Sequence, residues 1–377
     1  GYFVNTTAGA ISVNLPAGSA GDVVAIKDYA KTFDTHNVTL VQNGSDKIGG
    51  STTNATLSTE GIAVTLVFVD STQGWLVTDD GLQSAVIQPE FITATGGTPT
   101  TDGNFKVHTF TAPGTFTVCS TGNPAGSNEV SYMVVAGGGG GGQGTGSAPQ
   151  TAGGGGAGGY REGKTPQCTY TSSPLTCTSG SNNGLPVAVA SYPVVVGGGG
   201  AGQCSAARGG AGSVSTFSTI TSAGGGGGGD YNGGGCAGGS GGGGGAPGVP
   251  GGTGNSPPVS PAQGFNGGAG DPVGGGGGGG AAEVGEVAPG GGFGGFGGCG
   301  VATSITGSSL GRSGGGAGGT CRNAPPSPVP FGGGTSGVPA TSGGTNTGGG
   351  GGASSPPRSP SGAGGSGIVV IRYKFQN

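Results

Sequence analysis

The sequence has few charged side chains and little that favours helices. Lysine, arginine, aspartate and glutamate make up 7% of the 377 residues, and the net charge is −4. Nucleic acids and anionic membranes attract basic surfaces, so this balance argues against a nucleic-acid partner. No apolar run approaches the length of a transmembrane helix, so we expect no membrane insertion. With one methionine and abundant glycine, threonine, serine and valine, the composition indicates an all-β protein with a glycine-rich part.

The residue types that enzymes and metal sites require are also scarce. The seven cysteines form no CxxC pair, so no zinc site is expected. Residues 238–242 and 307–311 match the G-x-S-x-G spacing, but a serine hydrolase also needs a histidine base, and His36 and His108 both lie in predicted β regions. Residues 158–165 match the phosphate-binding pattern G-x-x-x-x-G-K-[ST] but follow no apolar strand. The sequence therefore predicts no enzyme, no catalytic residue, no metal and no cofactor.

Glycine is the dominant residue, with 103 copies that gather in short runs such as 137–142, 224–229 and 274–280. A flexible linker is the default interpretation of such runs. However, the runs are short and are interrupted by proline, serine, asparagine and aromatic residues. An alternative is a bundle of extended helices with three residues per turn, the polyglycine II geometry, in which only glycine fits between neighbouring chains. We expect this bundle.

Composition divides the chain into four parts. Residues 1–82 predict a small antiparallel β domain, and 83–90 a linker. Residues 91–136 and 368–377 predict a β platform, in which FKVHTFTAPGTFTV forms a hairpin and the strands 129–136 and 368–375 share one sheet. Residues 137–367 are then a glycine-rich insertion with variable loops, anchored at both ends by these two strands.

Two stretches carry a family resemblance. The run GYFVNTTAGAISVNLPAGSAGDVVAIKDYAKTF, followed by NGSDKIGG and VTLVFVDSTQGW, resembles a small domain of tail-fibre proteins of marine bacteriophages. The bracket VSYMVVAGGGGGG … GGSGIVVIRYKF resembles the glycine-rich C-terminal domains of phage tail-fibre and adhesin proteins. More distantly, it resembles the tip adhesins of T-even-like phages, in which packed polyglycine helices carry receptor-binding loops.

The resemblance implies a homotrimeric tail-fibre segment of a virion that attaches to a bacterial surface receptor, either a glycan or an outer-membrane protein. We therefore expect a C-terminal part of a longer fibre protein. A secreted or cell-surface filament protein is the alternative, and an ice-binding lattice is a third, weaker one. Sequence preceding Gly1 would separate the first two, because a fibre needs a baseplate-attachment region and a filament a secretion signal.

Receptor contacts are expected from aromatic and arginine side chains in the loops, because interfaces use these residues as anchors. The main candidate is the loop 160–185, which a Cys168–Cys177 disulfide would restrain, and the alternative is that all seven cysteines are free thiols. The alternative is that the rings cap or fill the edges of the lattice. The candidates are Tyr160, Arg161, Tyr170, Tyr231, Phe265, Phe293, Phe296 and Phe331.

Overall fold

Runs of β-branched and aromatic residues, separated by glycine, proline and asparagine clusters, make this chain all-β. The structure is a computed structural model that describes residues 1–81, 89–123, 126–145, 150–176, 183–321, 331–357 and 359–376. None of these residues is helical, and accordingly none belongs to a helix that could cross a membrane. Contacts divide the chain into two units, Gly1–Gln88 and Pro89–Asn377.

The first unit contains two small sheets, with strand orders β1-β3-β6-β7 and β2-β4-β5. The sequence predicted an antiparallel domain, and this is wrong in part, because β1 pairs with β3 and β2 with β4 in parallel. Between each parallel pair the chain crosses to the other sheet and returns in the same direction. Leu40, Leu66 and Trp75 are buried in a core shared by both sheets. The strands are β1 (Tyr2–Val4), β2 (Ile11–Asn14), β3 (Val23–Asp28), β4 (Val38–Val41), β5 (Ala55–Leu57), β6 (Ala63–Asp70) and β7 (Gly74–Asp79).

The second unit contains two larger sheets and a short hairpin. The strand orders are β13-β12-β20-β10-β9, with β14 also paired to β12, then β17-β16-β15-β11-β8, and the pair β18-β19. The strands are β8 (Thr93–Thr95), β9 (Thr98–Asp102), β10 (Phe105–Phe110), β11 (Gly114–Ser120), β12 (Glu129–Val135), β13 (Tyr160–Gly163), β14 (Leu185–Pro186), β15 (Ala190–Val195), β16 (Ser215–Phe217), β17 (Ile220–Ser222), β18 (Val301–Thr303), β19 (Leu310–Arg312) and β20 (Ile368–Lys374).

The predicted hairpin within residues 105–118 does not form. β10 pairs with β9 and β20, whereas β11 pairs with β8 and β15 in the other large sheet. The turn at 112–114 therefore carries the chain from one sheet to the next. Phe110 and Phe116, on either side of this turn, are both buried in the core that the two sheets share. Burying both rings between the sheets is favoured by the hydrophobic effect over pairing the two strands edge to edge.

The strands that bracket the glycine segment lie side by side at the centre of the larger sheet. β12 pairs antiparallel with β20, from Ser131 opposite Arg372 to Val135 opposite Ile368. Both strands are buried almost throughout, because one face packs on the second large sheet and the other on residues of the glycine segment. The insertion thus begins and ends on one apolar platform.

A polar group is buried between the two large sheets. The Nδ1 atom of His108 lies 2.7 Å from the carbonyl oxygen of Gly96, and its Nε2 atom lies 3.1 Å from the hydroxyl of Tyr373. A carbonyl can only accept, so Nδ1 carries the proton and Nε2 accepts from the tyrosine. Burial lowers the pKa of His108, and Lys106 lowers it further, against the effect of the Gly96 carbonyl. The ring is therefore held neutral.

The glycine runs are not strands, and their N–H groups repeat with a period of three residues. In run 137–142, the first and fourth N–H groups bond to segment 210–213. The second and fifth bond to segment 362–365, and the third and sixth to segment 153–156. Successive residues therefore point in three different directions, whereas a β-strand has a period of two.

The carbonyl groups of the same run face other segments. The first and fourth accept from segment 225–228, the third and sixth from segment 351–354, and the second from Gly200. Run 137–142 thus has hydrogen-bonded neighbours on all sides. Run 274–280 is enclosed in the same way, because its N–H groups donate in turn to segments around 316–319, 241–244 and 283–286.

Steric contact explains why glycine fills these runs. A Cβ atom added at Gly277 would lie 1.8 Å from the carbonyl oxygen of Phe296, and one added at Gly139 would lie 2.2 Å from that of Gly226. Real Cβ atoms do not approach a backbone oxygen this closely. Alanine occurs where there is room, as at Ala157 and Ala317, which are fully buried. The composition of the segment is therefore a packing requirement.

We expect Gly277→Ala to destabilise the second unit by about 3 kcal/mol, near the upper end for overpacked interiors. The matched control is Gly198→Ala, since Gly198 is exposed and an added Cβ would have no atom within 4 Å. Urea unfolding of both variants and the parent measures the difference. Equal destabilisation by the two changes would contradict close packing of the run.

His108 should make the second unit sensitive to acid. Its pKa is lowered on folding, so as the pH falls the unfolded chain binds a proton at this histidine before the folded chain does. The free energy of unfolding therefore decreases as the pH drops below the ordinary pKa of 6.5. We expect His108→Gln, which keeps a polar group but cannot titrate, to lose less unfolding free energy than the parent between pH 7 and pH 5, relative to its own value at pH 7. Equal losses would show that other groups set the acid response.

Candidate interaction surface

The loop expected to contact a receptor begins with a buried polar cluster. The Tyr160 hydroxyl donates to Oε2 of Glu162 at 2.8 Å, and the Ser173 N–H donates to the same oxygen at 2.9 Å. The Thr303 hydroxyl donates to Oε1 of Glu162 at 2.7 Å. These bonds join β13, the following loop and β18. Both oxygens of the Glu162 carboxylate are thus occupied by partners within the protein.

This cluster belongs to the core beneath the sheet. Tyr160 is 1% exposed and Tyr170 is 6% exposed. Burial, then the Glu162 charge, raises the pKa of Tyr160 well above its usual value. Burial lowers the pKa of the nearby Arg312, against the attraction of Tyr160 and Glu162. The two tyrosine rings fill the space between sheet and glycine segment and offer no surface to a partner.

The other residues singled out in this loop are Arg161, Cys168 and Cys177. Arg161 is half-buried and lines a cavity of about 210 Å³ together with Tyr132 and Ser260. Ligand pockets usually exceed about 300 Å³. Cys168 is buried, and its predicted disulfide partner Cys177 lies outside the described residues.

Three more candidates are half-buried and lie apart from one another in the sequence. Phe331 packs on the short hairpin, since a Cβ at Gly311 would lie 2.1 Å from its ring. Phe265 lies between glycine runs, where its carbonyl accepts from the Gly241 N–H and its N–H donates to the Gly280 carbonyl. Tyr231 lies in a turn after run 224–229. Each is consistent with a ring that fills an edge of the lattice.

The remaining candidates, Phe293 and Phe296, form an exposed row. The two residues are 46% and 47% exposed. The residues between and after them face inward, because a Cβ at Gly294 or Gly297 would strike segment 315–318 and one at Gly295 would strike Glu286. With a three-residue period, Phe293 and Phe296 therefore project from the same side of their segment.

A second row with the same period lies beside the first. The backbone of Glu286 donates to the Phe296 carbonyl at 2.9 Å, and the Phe296 N–H donates to the Glu286 carboxylate at 3.0 Å. Glu283, three residues earlier, hydrogen-bonds to the thiol of Cys299, three residues after Phe296. Both glutamates are exposed. We call Phe293, Phe296, Glu283 and Glu286 the Phe–Glu face.

The glutamates were not among the sequence candidates, although a signal for them exists. Residues 283–287 read E-V-G-E-V and residues 293–299 read F-G-G-F-G-G-C, so both segments repeat every third residue. In an extended helix with three residues per turn, such a repeat places like residues on one side. Only the fold shows that the two rows are neighbours.

The phosphate-binding pattern does not adopt the structure that its chemistry needs. Tyr160–Gly163, within the phosphate-binding pattern, is a strand, whereas that chemistry needs a helix at the lysine. Across the described parts of the chain, no group of histidine, cysteine, aspartate or glutamate is arranged to hold a metal ion. The Phe–Glu face is accordingly the best-defined candidate site.

Cys299 provides a test of the contact between the two rows. The hydrogen bond to Glu283 raises the pKa of the Cys299 thiol, with contributions from burial and from the Glu283 charge. We expect Glu283→Gln to lower this pKa and to speed alkylation of Cys299 by iodoacetamide at pH 8, followed by peptide mass mapping. Glu286→Gln is the control and should leave the rate unchanged. An unchanged rate in Glu283→Gln would mean that the two rows are not in contact.

Comparison with known proteins bears on the second unit. No curated protein matches the chain. The family model of the glycine-rich domain matches residues 110–374, from the last residue of β10 to the last residue of β20. The match includes both bracketing strands and the whole glycine segment, and it covers most of the chain, which therefore belongs to the glycine-rich domain family.

Proposed function

We propose that residues 137–367 form a polyglycine II bundle. The three-residue period of the N–H bonds and the enclosure of single runs by neighbouring segments support this geometry. Carbonyl oxygens of neighbouring segments lie where the Cβ atoms of larger residues would be, and this close approach supports the geometry further. Such a bundle offers little except backbone for recognition, so selective binding falls to the side chains at its surface.

We further propose that the protein is a non-enzymatic receptor-binding part of a phage tail fibre, located in the virion and assembled as a homotrimer. Its partner is a receptor on the bacterial surface. The sequence resemblance of both units to tail-fibre and adhesin proteins supports this function. The β platform holds the bundle, and the bundle displays the Phe–Glu face.

The exposed phenylalanine row is the observation that carries this proposal. Two large apolar rings left half exposed on one side of a rigid segment are costly in water and are typical of binding sites. A pre-ordered site loses less entropy on binding than a flexible loop does. The candidates favoured from the sequence, Tyr160, Arg161 and Tyr170, are less suitable, because both tyrosine rings are buried.

A structural protein of a cell-surface filament is the second candidate. The first unit supports it, because Phe3 and Val23 on strands β1 and β3 are 77% and 61% exposed. Phe3 lies opposite Lys27, which is four residues from Val23 on β3, and residues an even number apart on a strand point to the same face. Phe3 and Val23 therefore share the outer face of this sheet. Such a face favours assembly of copies. Filaments that lengthen with concentration in electron micrographs would favour this function over a tail fibre.

Adsorption to bacteria tests the receptor-binding function. We expect the double change Phe293→Ala and Phe296→Ala to reduce adsorption of the isolated fibre tip to host cells about tenfold or more, as for interface anchors. Val214→Ala is the control, because Val214 is also exposed but lies on another segment. Urea unfolding should be unchanged in both variants. Unaltered adsorption of a folded double variant would move the receptor site elsewhere.

A further inference from the structure

The Phe–Glu face carries two carboxylates, and neither forms an ion pair with a cation of the described residues. Between Asp230 and Arg312 the sequence has three charged residues, Asp271, Glu283 and Glu286, and all are acidic. The ion pairs of the described residues join Arg208 to Asp230 and Arg372 to Asp102, and neither involves these glutamates. The charged side chain that the structure places beside Phe296 is therefore acidic.

Aromatic rings and carboxylates together favour a cationic partner. The face of a phenylalanine ring attracts an ammonium or guanidinium group, and a carboxylate beside it adds a charge-assisted hydrogen bond. One oxygen of Glu286 is held by the Phe296 N–H, which fixes the direction of that carboxylate. Glu286 thus lies beside Phe296, and Glu283 lies three residues further along the row, beside Cys299.

The spacing of the face selects the shape of the partner. Phe293 and Phe296 are three residues apart, as are Glu283 and Glu286, and at the polyglycine II rise this is about 9.3 Å. An extended chain in the polyproline II conformation presents every third side chain along one side at the same distance. Such a chain can place successive basic residues at Phe293, at Phe296 with Glu286, and at Glu283.

We propose that the Phe–Glu face binds an extended basic segment of a partner protein, with lysine or arginine at every third residue. This inference rests on the proposed receptor-binding function and names the chemistry of the receptor. A second copy of this chain is a poor occupant, because two such faces would bring four carboxylates together. A neutral glycan could stack on the rings, but its binding would not need the glutamates.

Fluorescence anisotropy with labelled peptides tests the inference on the full chain. The probe is a peptide that repeats Lys-Pro-Pro. The controls are a Glu-Pro-Pro repeat and a peptide of the same composition with lysine at irregular spacing. We expect the Lys-Pro-Pro repeat to bind more tightly than either control, and its affinity to fall as salt rises, because exposed charges are screened.

Variants separate the contributions of rings and charges. Phe293→Ala with Phe296→Ala should weaken peptide binding about tenfold. Glu283→Gln with Glu286→Gln should weaken it to a similar extent and remove most of the salt dependence. Val214→Ala should bind as the parent does. Equal binding of the regular and irregular lysine peptides, or no binding of either, would overturn the inference.

Adsorption of the same variants distinguishes this inference from the proposed function. If the phenylalanine variant loses adsorption but the glutamine variant keeps it, the receptor-binding function is supported and the basic partner is wrong. If both variants lose peptide binding while adsorption is unchanged, the basic partner is supported and the proposed role of the Phe–Glu face in adsorption fails. Binding of a neutral oligosaccharide that depends on the rings alone would also overturn the basic partner.

Discussion

Hydrogen bonds between the backbones of glycine runs are the interaction on which the second unit depends. Glycine has no side chain to bury, so each run must be held by N–H and carbonyl groups. Each such bond contributes only about 0.5–1.5 kcal/mol, while ordering each residue costs about 1–2 kcal/mol. The lattice needs both a full set of bonds and firm attachment, and the central pair β12 and β20 supplies the attachment.

Close packing follows from the same constraint. Backbone groups bond directly only if the chains approach within about 3 Å between donor and acceptor atoms. A Cβ at an enclosed position such as Gly277 would lie inside that distance from a carbonyl oxygen. Large apolar side chains therefore lie at the surface of the glycine segment or where that segment contacts the sheet. The surface positions include Phe293 and Phe296, and the contact includes Tyr160, Tyr170 and Glu162.

This division has a functional consequence. Rings on the sheet side stabilise the contact between the sheet and the glycine segment. At this contact both carboxylate oxygens of Glu162 accept hydrogen bonds from within the protein. Rings on the solvent side are held in fixed register by backbone bonds that do not depend on their identity. The outer side chains can therefore change without loss of the backbone hydrogen bonds, which is what the proposed receptor-binding function requires.

The sequence alone determined the β class, the two bracketing strands, and the need for glycine, because each follows from local periodicity or from the size of a side chain. Only the tertiary structure decided that β10 and β11 belong to different sheets, that two strand pairs are parallel, and that Tyr160 and Tyr170 are buried. It also decided which glycine runs are neighbours, and so that Glu286 lies beside Phe296. Glycine runs carry no side chains that distinguish one from another. Their pairing is therefore set by the path of the whole chain.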